Sequence, residues 1–270
     1  MTKPVINLKV LEFDDIGMWA PSIKNALQAH VSDDVCRLVA TSEPEDAIET
    51  LFDLTDRKAI IQNTLNWIGS NKVVGFHGTR LTNQEVDSVL LKGLVPLKAE
   101  DRRVRLIRAL SRHPNWSVVE SRLDEVIDAH GKGNAAGHRQ DQVHLTLSES
   151  GVVTGFNHYL THGSEFDQHV AYSLLGEDGK NYLTEDGDPI LFRVAVPGDY
   201  ALKAAHPYFT VEDLCRNGEV PNIVKEFLTS WAFYLTDRSF SPIKLRIDCG
   251  MIFRSVVPAD WILDQKVVSL

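Results

Sequence analysis

Cysteine is scarce: Cys36, Cys215 and Cys249 are far apart in the 270 residues, with no CxxC pair. That spacing excludes a structural zinc site and a disulfide framework, and it fits a reducing cytoplasm. An excess of positive charge is also missing. Lys and Arg number 28 against 37 Asp and Glu, a formal net charge of -9, so the broad pull that phosphate backbones exert on basic proteins is absent, although a local basic patch stays open. No stretch approaches the ~18 apolar residues of a membrane span. The opening MTKPVINLKVLEFDD has no basic region leading into an apolar one, so neither membrane insertion nor export is expected. Internal repeats and low-complexity segments are lacking as well.

What is present is an ordinary globular composition: 43% hydrophobic and 24% charged residues. Such a chain buries enough apolar surface to fold, as one catalytic core with a small helical attachment. Residues 5 to 13 alternate imperfectly and read as a strand, and helical spacing follows around Trp19 to Val31. Two further helices are expected, one opening at SEPEDAIETLF with Ser42 as N-cap and Pro44 in its first turn, the other from Asp56 to Ile68. They complete a mainly helical prefix, residues 1–71.

A short apolar run, Val73 to Phe76, then precedes Thr82-Asn83-Gln84-Glu85, a capping-box arrangement that starts a helix to about Leu91, with Gly93 as its C-terminal cap. Residues 98–130 are helical and highly charged and read as an insertion. GKGNAAGHRQDQ reads as a loop, VHLTLS as a strand, ESGVVTG as a second loop and GSEFDQHVAYSLLG as a helix bounded by glycines. GEDGKNYLTEDGDP reads as a turn-rich connection, ILFRVAVP as a buried strand, TVEDLCRN and VPNIVKEFLTSWAFYL as helices, and KLRIDCGMIFRSVVP as the last strands.

The segment richest in chemistry is VVGFHGTR, Val73 to Arg80. A nicotinamide dinucleotide can be held at a sheet by backbone and one imidazole, provided a small residue lets it approach. His77 can hydrogen-bond a ribose hydroxyl, Gly78 permits close backbone contact, and the Thr79 hydroxyl can orient a neighbour. Read without context, the same tripeptide also serves as a strand-end histidine followed by a turn. Arg80 offers a forked guanidinium to a diphosphate, and Arg193 and Arg254 are weaker candidates. The run Arg102 to Arg112, containing RRVRLIR, reads either as an acceptor-binding surface or as a solvated helix face.

FHGTRLTNQEVDSVLLKGLVPL resembles the first strand and helix of the ADP-ribosyltransferase superfamily. VHLTLS is similar to the family's second signature strand, AYSLLG to the following helix, and VPADWI to its VPPE-type ending, so the resemblance covers Val73 to Ile262. It implies an α+β fold, a split mixed β-sheet with flanking helices, with residues 72–270 as the catalytic domain and residues 98–130 as its insertion. It implies NAD as co-substrate, loss of nicotinamide through an oxocarbenium-like ribose stabilised by a nearby carboxylate, and capture by an acceptor nucleophile, with no metal.

The diphtheria-toxin-like branch uses His, Tyr and Glu. Here His77 matches the first, and His144 and Ser148 lie on the second strand. Tyr159 is preferred over Tyr172 as the stacking aromatic. The family glutamate is missing from LRIDCGMIF, where Asp248 stands, and Glu165 is the alternative carboxylate. Its other role would be that of a first-turn glutamate favoured by the helix dipole.

The expected activity is therefore mono-ADP-ribosylation of a macromolecular acceptor, protein or nucleic acid, by a toxin or anti-phage defence effector with a neutralising antitoxin partner. Within the same fold, VHLTLS is also similar to RNA 2′-phosphotransferases. A catalytically inactive binding module is the third alternative.

Overall fold

The computed structural model describes residues 9–131, 141–206, 208–245 and 248–270. In chain order its main elements are β1 (Val10–Leu11), α1 (Ile16–Leu27), α2 (Asp33–Val39), α3 (Ala47–Asp53), α4 (Arg57–Gly69), β2 (Lys72–Leu81) and α5 (Asn83–Lys92). Next come α6 (Arg103–Leu110), α7 (Trp116–Val119), α8 (Leu123–Gly131), β3 (Val143–Thr146), α9 (His158–His162), α10 (Glu165–Leu183) and β4 (Asp188–Pro197). The chain ends with α11 (Gly198–Ala204), α12 (Val211–Arg216), α13 (Asn222–Thr236), α14 (Pro242–Leu245), β5 (Gly250–Phe253) and β6 (Ile262–Val267). The fold is α+β.

The six strands form one hydrogen-bonded sheet of order β5-β3-β2-β4-β6, with β1 added to the start of β2. β1 runs parallel to β2 (Val10 opposite Lys72), while β4 and β6 are antiparallel, with Ile190 opposite Val267 and a register shift after Arg193. The expected split is not seen among the described residues. β2 and β4, each ten residues long, are paired at the centre of the sheet. The His-Gly-Thr tripeptide thus lies on a central strand.

Local chemistry explains the element boundaries. The Thr82 hydroxyl and the Glu85 carboxylate satisfy each other's backbone N–H groups in a full capping box, and Gly93, at φ +86°, ends α5. Asp56 caps α4 by accepting from the amides of Lys58 and Ala59. Ser42 does not cap the third helix: its hydroxyl donates back to the carbonyl of Val39, because Asp33–Val39 is a helix of its own, capped by Ser32. A short 3-10 turn, Pro44–Asp46, opens α3 instead.

Two other departures concern connections. GEDGKNYL is helix rather than loop, and Gly176 at φ +67° lets the chain turn and resume helix within α10. GVVTG, Gly151–Gly155, is a π-helical turn. The glycine-rich loop GKGNAAGHRQDQ and the start of the first expected strand lie largely outside the described residues, as do residues 246–247 of KLRIDCG.

The chain groups into two compact units, and β2, β3, β4 and β5 each pass through both. The first comprises Met1–Gly75, Thr146–Gly151 and Ala195–Met251. The expected boundary after residue 71 falls inside this unit, since the prefix shares its core with a later helix: Phe227 of α13 meets Phe13, Trp19 and Trp67 edge-on at 5.1, 5.0 and 5.3 Å. Edge-to-face aromatic contacts of this kind each add about 0.5–1.5 kcal/mol beyond their area.

The second unit comprises Phe76–Leu145, Val152–Val194 and Ile252–Leu270. Leu106, Leu110, Leu123, Phe166, Val170 and Leu174 form its helical core, joining the expected insertion to α10. The arginines in and around α6 pair with carboxylates. Arg102 and Arg105 pair with the fully buried Asp167, Arg105 and Arg108 with Glu85, and Arg108 also with Asp186. Arg103 pairs with Asp124 and Arg112 with Glu185. Arg102 and Arg105 are thereby held inside the fold, whereas Arg103, Arg108 and Arg112 pair with carboxylates at the surface.

Candidate functional site

His77 sits mid-strand on β2, half-buried, with Nδ1 2.8 Å from the carbonyl oxygen of His144 on β3. A carbonyl only accepts, so Nδ1 carries the proton, and Nε2 of the neutral ring is left as an acceptor. Burial pushes the His77 pKa below its ordinary value, outweighing the raising effect of that hydrogen bond. The ring is therefore held neutral in one tautomer at physiological pH. Such a ring can accept a hydrogen bond from a ribose hydroxyl.

Gly78 serves the protein rather than a ligand on its side-chain face. A Cβ there would overlap Val152 and press on Leu160 at 3.2 Å. Side chains alternate along a strand, and two residues on, Arg80 donates from Nη1 to the carbonyl of Leu160 at 3.3 Å. Gly78 and Arg80 together dock α9 on β2. The Arg80 Nε is buried without a hydrogen-bond partner, and burial lowers the pKa of the guanidinium. Thr79, between them, is half-buried.

Docking of α9 positions the two residues expected to complete the site. Gly163, at φ +83°, ends α9, and Ser164 immediately caps α10 by accepting from the Asp167 amide at 3.1 Å. This tight reversal returns Glu165 to the helix just completed. The Tyr159 hydroxyl donates to Glu165 Oε1 at 2.9 Å. His158, which the sequence did not single out, brings Nε2 to the same oxygen at 3.3 Å and stacks its ring 4.2 Å from that of Tyr159. Its signal was the run His-Tyr followed by Gly-Ser-Glu, a helix stop fused to a helix start.

Tyr172 lies seven residues beyond Glu165, about 10 Å along α10 on a similar side. It is 53% exposed, with Lys180 Nζ 5.7 Å from its ring centre, so its surroundings are solvent and not core. Arg193 is engaged by Asp264 at 2.6 Å, and Arg254 is exposed.

Ser148 and Asp248 belong to the first unit. Ser148 has no exposed surface, and its hydroxyl is 2.8 Å from that of Ser150. The expectation that it touches NAD is corrected by this burial. Asp248 Oδ1 accepts from the amides of Leu147, Ser148 and Cys249 at 2.8, 2.9 and 2.8 Å. It splices the end of β3 to the start of β5, a structural task. Asp14 supports the same loop by accepting from the Glu149 amide at 2.9 Å.

Burial raises the carboxyls around this splice. Asp248 is pushed up to about 6 despite its three amide donors, with Asp14 adding repulsion, and Glu226 to about 7. The Cys249 thiol rises to about 12, from burial and then from its acidic neighbours. That makes it a poor nucleophile.

Among the described residues no helix is long and apolar enough to cross a membrane, and no group of three or more His, Cys, Asp or Glu is arranged to hold a metal ion. No protein-family model, no curated protein and no solved structure matches the chain.

Proposed function

We propose that the chain is an NAD-dependent mono-ADP-ribosyltransferase acting on a macromolecule. The observation that supports this most is the hydrogen bond between Tyr159 and Glu165, two residues selected for the reaction by their place after the VHLTLS strand. The donor set also suits a dinucleotide. Neutral His77 offers Nε2 to a ribose hydroxyl, and Arg80 offers charge to a diphosphate. Glu165 supplies a carboxylate to offset the positive charge that develops on the ribose as nicotinamide leaves. Tyr159 would flank the nicotinamide ring, with Tyr172 and His144 as further contacts.

A cytoplasmic toxin or defence effector, restrained by an antitoxin protein, is the biological setting that accompanies this chemistry. The RNA 2′-phosphotransferase alternative is disfavoured by the net charge of -9 and by the pairing of Arg102, Arg105 and Arg108 with carboxylates. The inactive-module alternative draws on Asp248, whose carboxylate is taken up by three backbone amides.

Incubation with NAD labelled in its adenylate half, together with mixed protein, RNA and DNA acceptors, tests the reading. Label transfer abolished by His77→Ala is expected. Binding of NAD without transfer or hydrolysis would assign the chain to the inactive module, and absence of binding would remove the NAD reading.

A further inference from the structure

His158 has no counterpart in the expected His-Tyr-Glu set, yet it meets both members of the pair that follows His77. Glu165 Oε1 lies 2.9 Å from the Tyr159 hydroxyl and 3.3 Å from His158 Nε2. A carboxylate oxygen accepts and both neighbours donate, so His158 carries its proton on Nε2. Two donors converging on one oxygen fix the rotation of the carboxyl group. The imidazole and phenol rings are in contact, 4.2 Å between centres and 36° apart in plane, so neither donor moves without the other.

The setting reinforces this role. Phe156 stands 6.2 Å from the His158 ring and 6.4 Å from the Tyr159 ring, and it is half exposed. Burial, and then Lys180 of α10, His158 and Arg80 of β2, push the pKa of His162 of α9 below its ordinary value. His162 is itself held by a 3.3 Å contact from Nδ1 to the Lys180 carbonyl.

We infer that His158 is a positioning residue for Glu165: with Tyr159 it holds the carboxylate in one orientation. The inference rests on the ADP-ribosyltransferase reading for the step that the carboxylate serves, namely offsetting positive charge on the ribose as nicotinamide departs. His158 touches no reacting atom in this scheme.

The test uses the full chain and one double-variant cycle, built from His158→Phe and Glu165→Gln and read in two ways, with His158→Gln as the conservative control. Steady-state release of nicotinamide from NAD is the first readout. His158→Phe, which keeps the ring and loses the donor, is expected to lower kcat about tenfold with KM for NAD within about twofold, while His158→Gln recovers to within about threefold. Adding His158→Phe to Glu165→Gln should then cost nothing further. Multiplying effects in the double variant, or a Gln variant as impaired as the Phe variant, would overturn the inference.

Urea unfolding of the same four proteins is the second readout and needs no substrate. Here a coupling of about threefold or more in the unfolding constant is expected. Should the unaltered protein release no nicotinamide, the ADP-ribosyltransferase reading fails by itself. The unfolding cycle then decides alone whether His158 positions Glu165: coupling upholds it and additivity refutes it.

Discussion

Replacing Asp248 with Asn should stabilise the protein at pH 8, although it removes a carboxylate that accepts three hydrogen bonds. The three amides of Leu147, Ser148 and Cys249 all point at Oδ1, an atom that Asn retains. What Asn removes is a charge disfavoured by burial and by Asp14, which together lift the carboxyl from 3.8 to about 6. A raised native pKa means that the folded state binds the proton more tightly than the unfolded chain. The associated stability is full below about pH 4 and is lost as pH rises through about 6.

A shift of about two units corresponds to at most about 3 kcal/mol, and solvent around a partly exposed carboxyl reduces this to about 1–2 kcal/mol. Urea unfolding from pH 4 to pH 8, followed by tryptophan fluorescence, measures it. The wild-type midpoint should fall across this range relative to Asp248→Asn, and the variants should converge near pH 4. An Asn variant that is less stable at pH 8 would refute the reasoning, because ionised Asp248 would then gain more from its amide donors than it loses by burial.

Gly78→Ala should cost about 1–3 kcal/mol by overpacking against Val152 and Leu160, and Val152→Ala in the same chain should recover part of it; unchanged thermal stability of the single variant would contradict the packing. Asp167→Asn should cost about 3 kcal/mol or more, since it leaves Arg102 and Arg105 facing a neutral group in a buried position. Burial raises the Asp167 pKa, but Arg102 and Arg105 outweigh it and hold the carboxyl below its ordinary range. The stability it contributes is therefore present above about pH 4 and is lost only at lower pH, and the Asn variant should lack that acid limb in unfolding midpoints. Because burial also lowers the His77 pKa, NAD affinity measured by calorimetry should stay level from pH 8 down to pH 6.5 and decline only below it. A decline centred at or above 6.5 would contradict a desolvated ring.

Much of the secondary structure was legible because its signals are local. The capping box at Thr82 and Glu85, the stop at Gly93 and the Thr210 cap of α12 each involve groups within four residues of one another. Hydrogen bonds of that range depend on the neighbouring sequence and little else. The alternation of Val143, Leu145 and Leu147 likewise marked β3 and its buried face. The helix through GEDGKNYL was hidden by its glycines, one of which turns the chain while another, Gly179, packs where a Cβ would strike the Ala171 carbonyl. Composition cannot separate those uses of glycine from a loop.

What the sequence determined by itself is much of the short-range grammar: where most helices and strands lie, and which local caps, such as Thr82, Asp56 and Thr210, close them. Tertiary structure alone decided how these groups are used. Val152, Leu160 and the Leu160 carbonyl claim Gly78 and Arg80, distant carboxylates neutralise the α6 arginines, and three amides occupy Asp248. It also placed His158 and Tyr159 on one oxygen of Glu165. The physical reason is range: capping and alternation act over a turn or two of chain, whereas burial, ion pairing and side-chain hydrogen bonding depend on which distant residues share the same space.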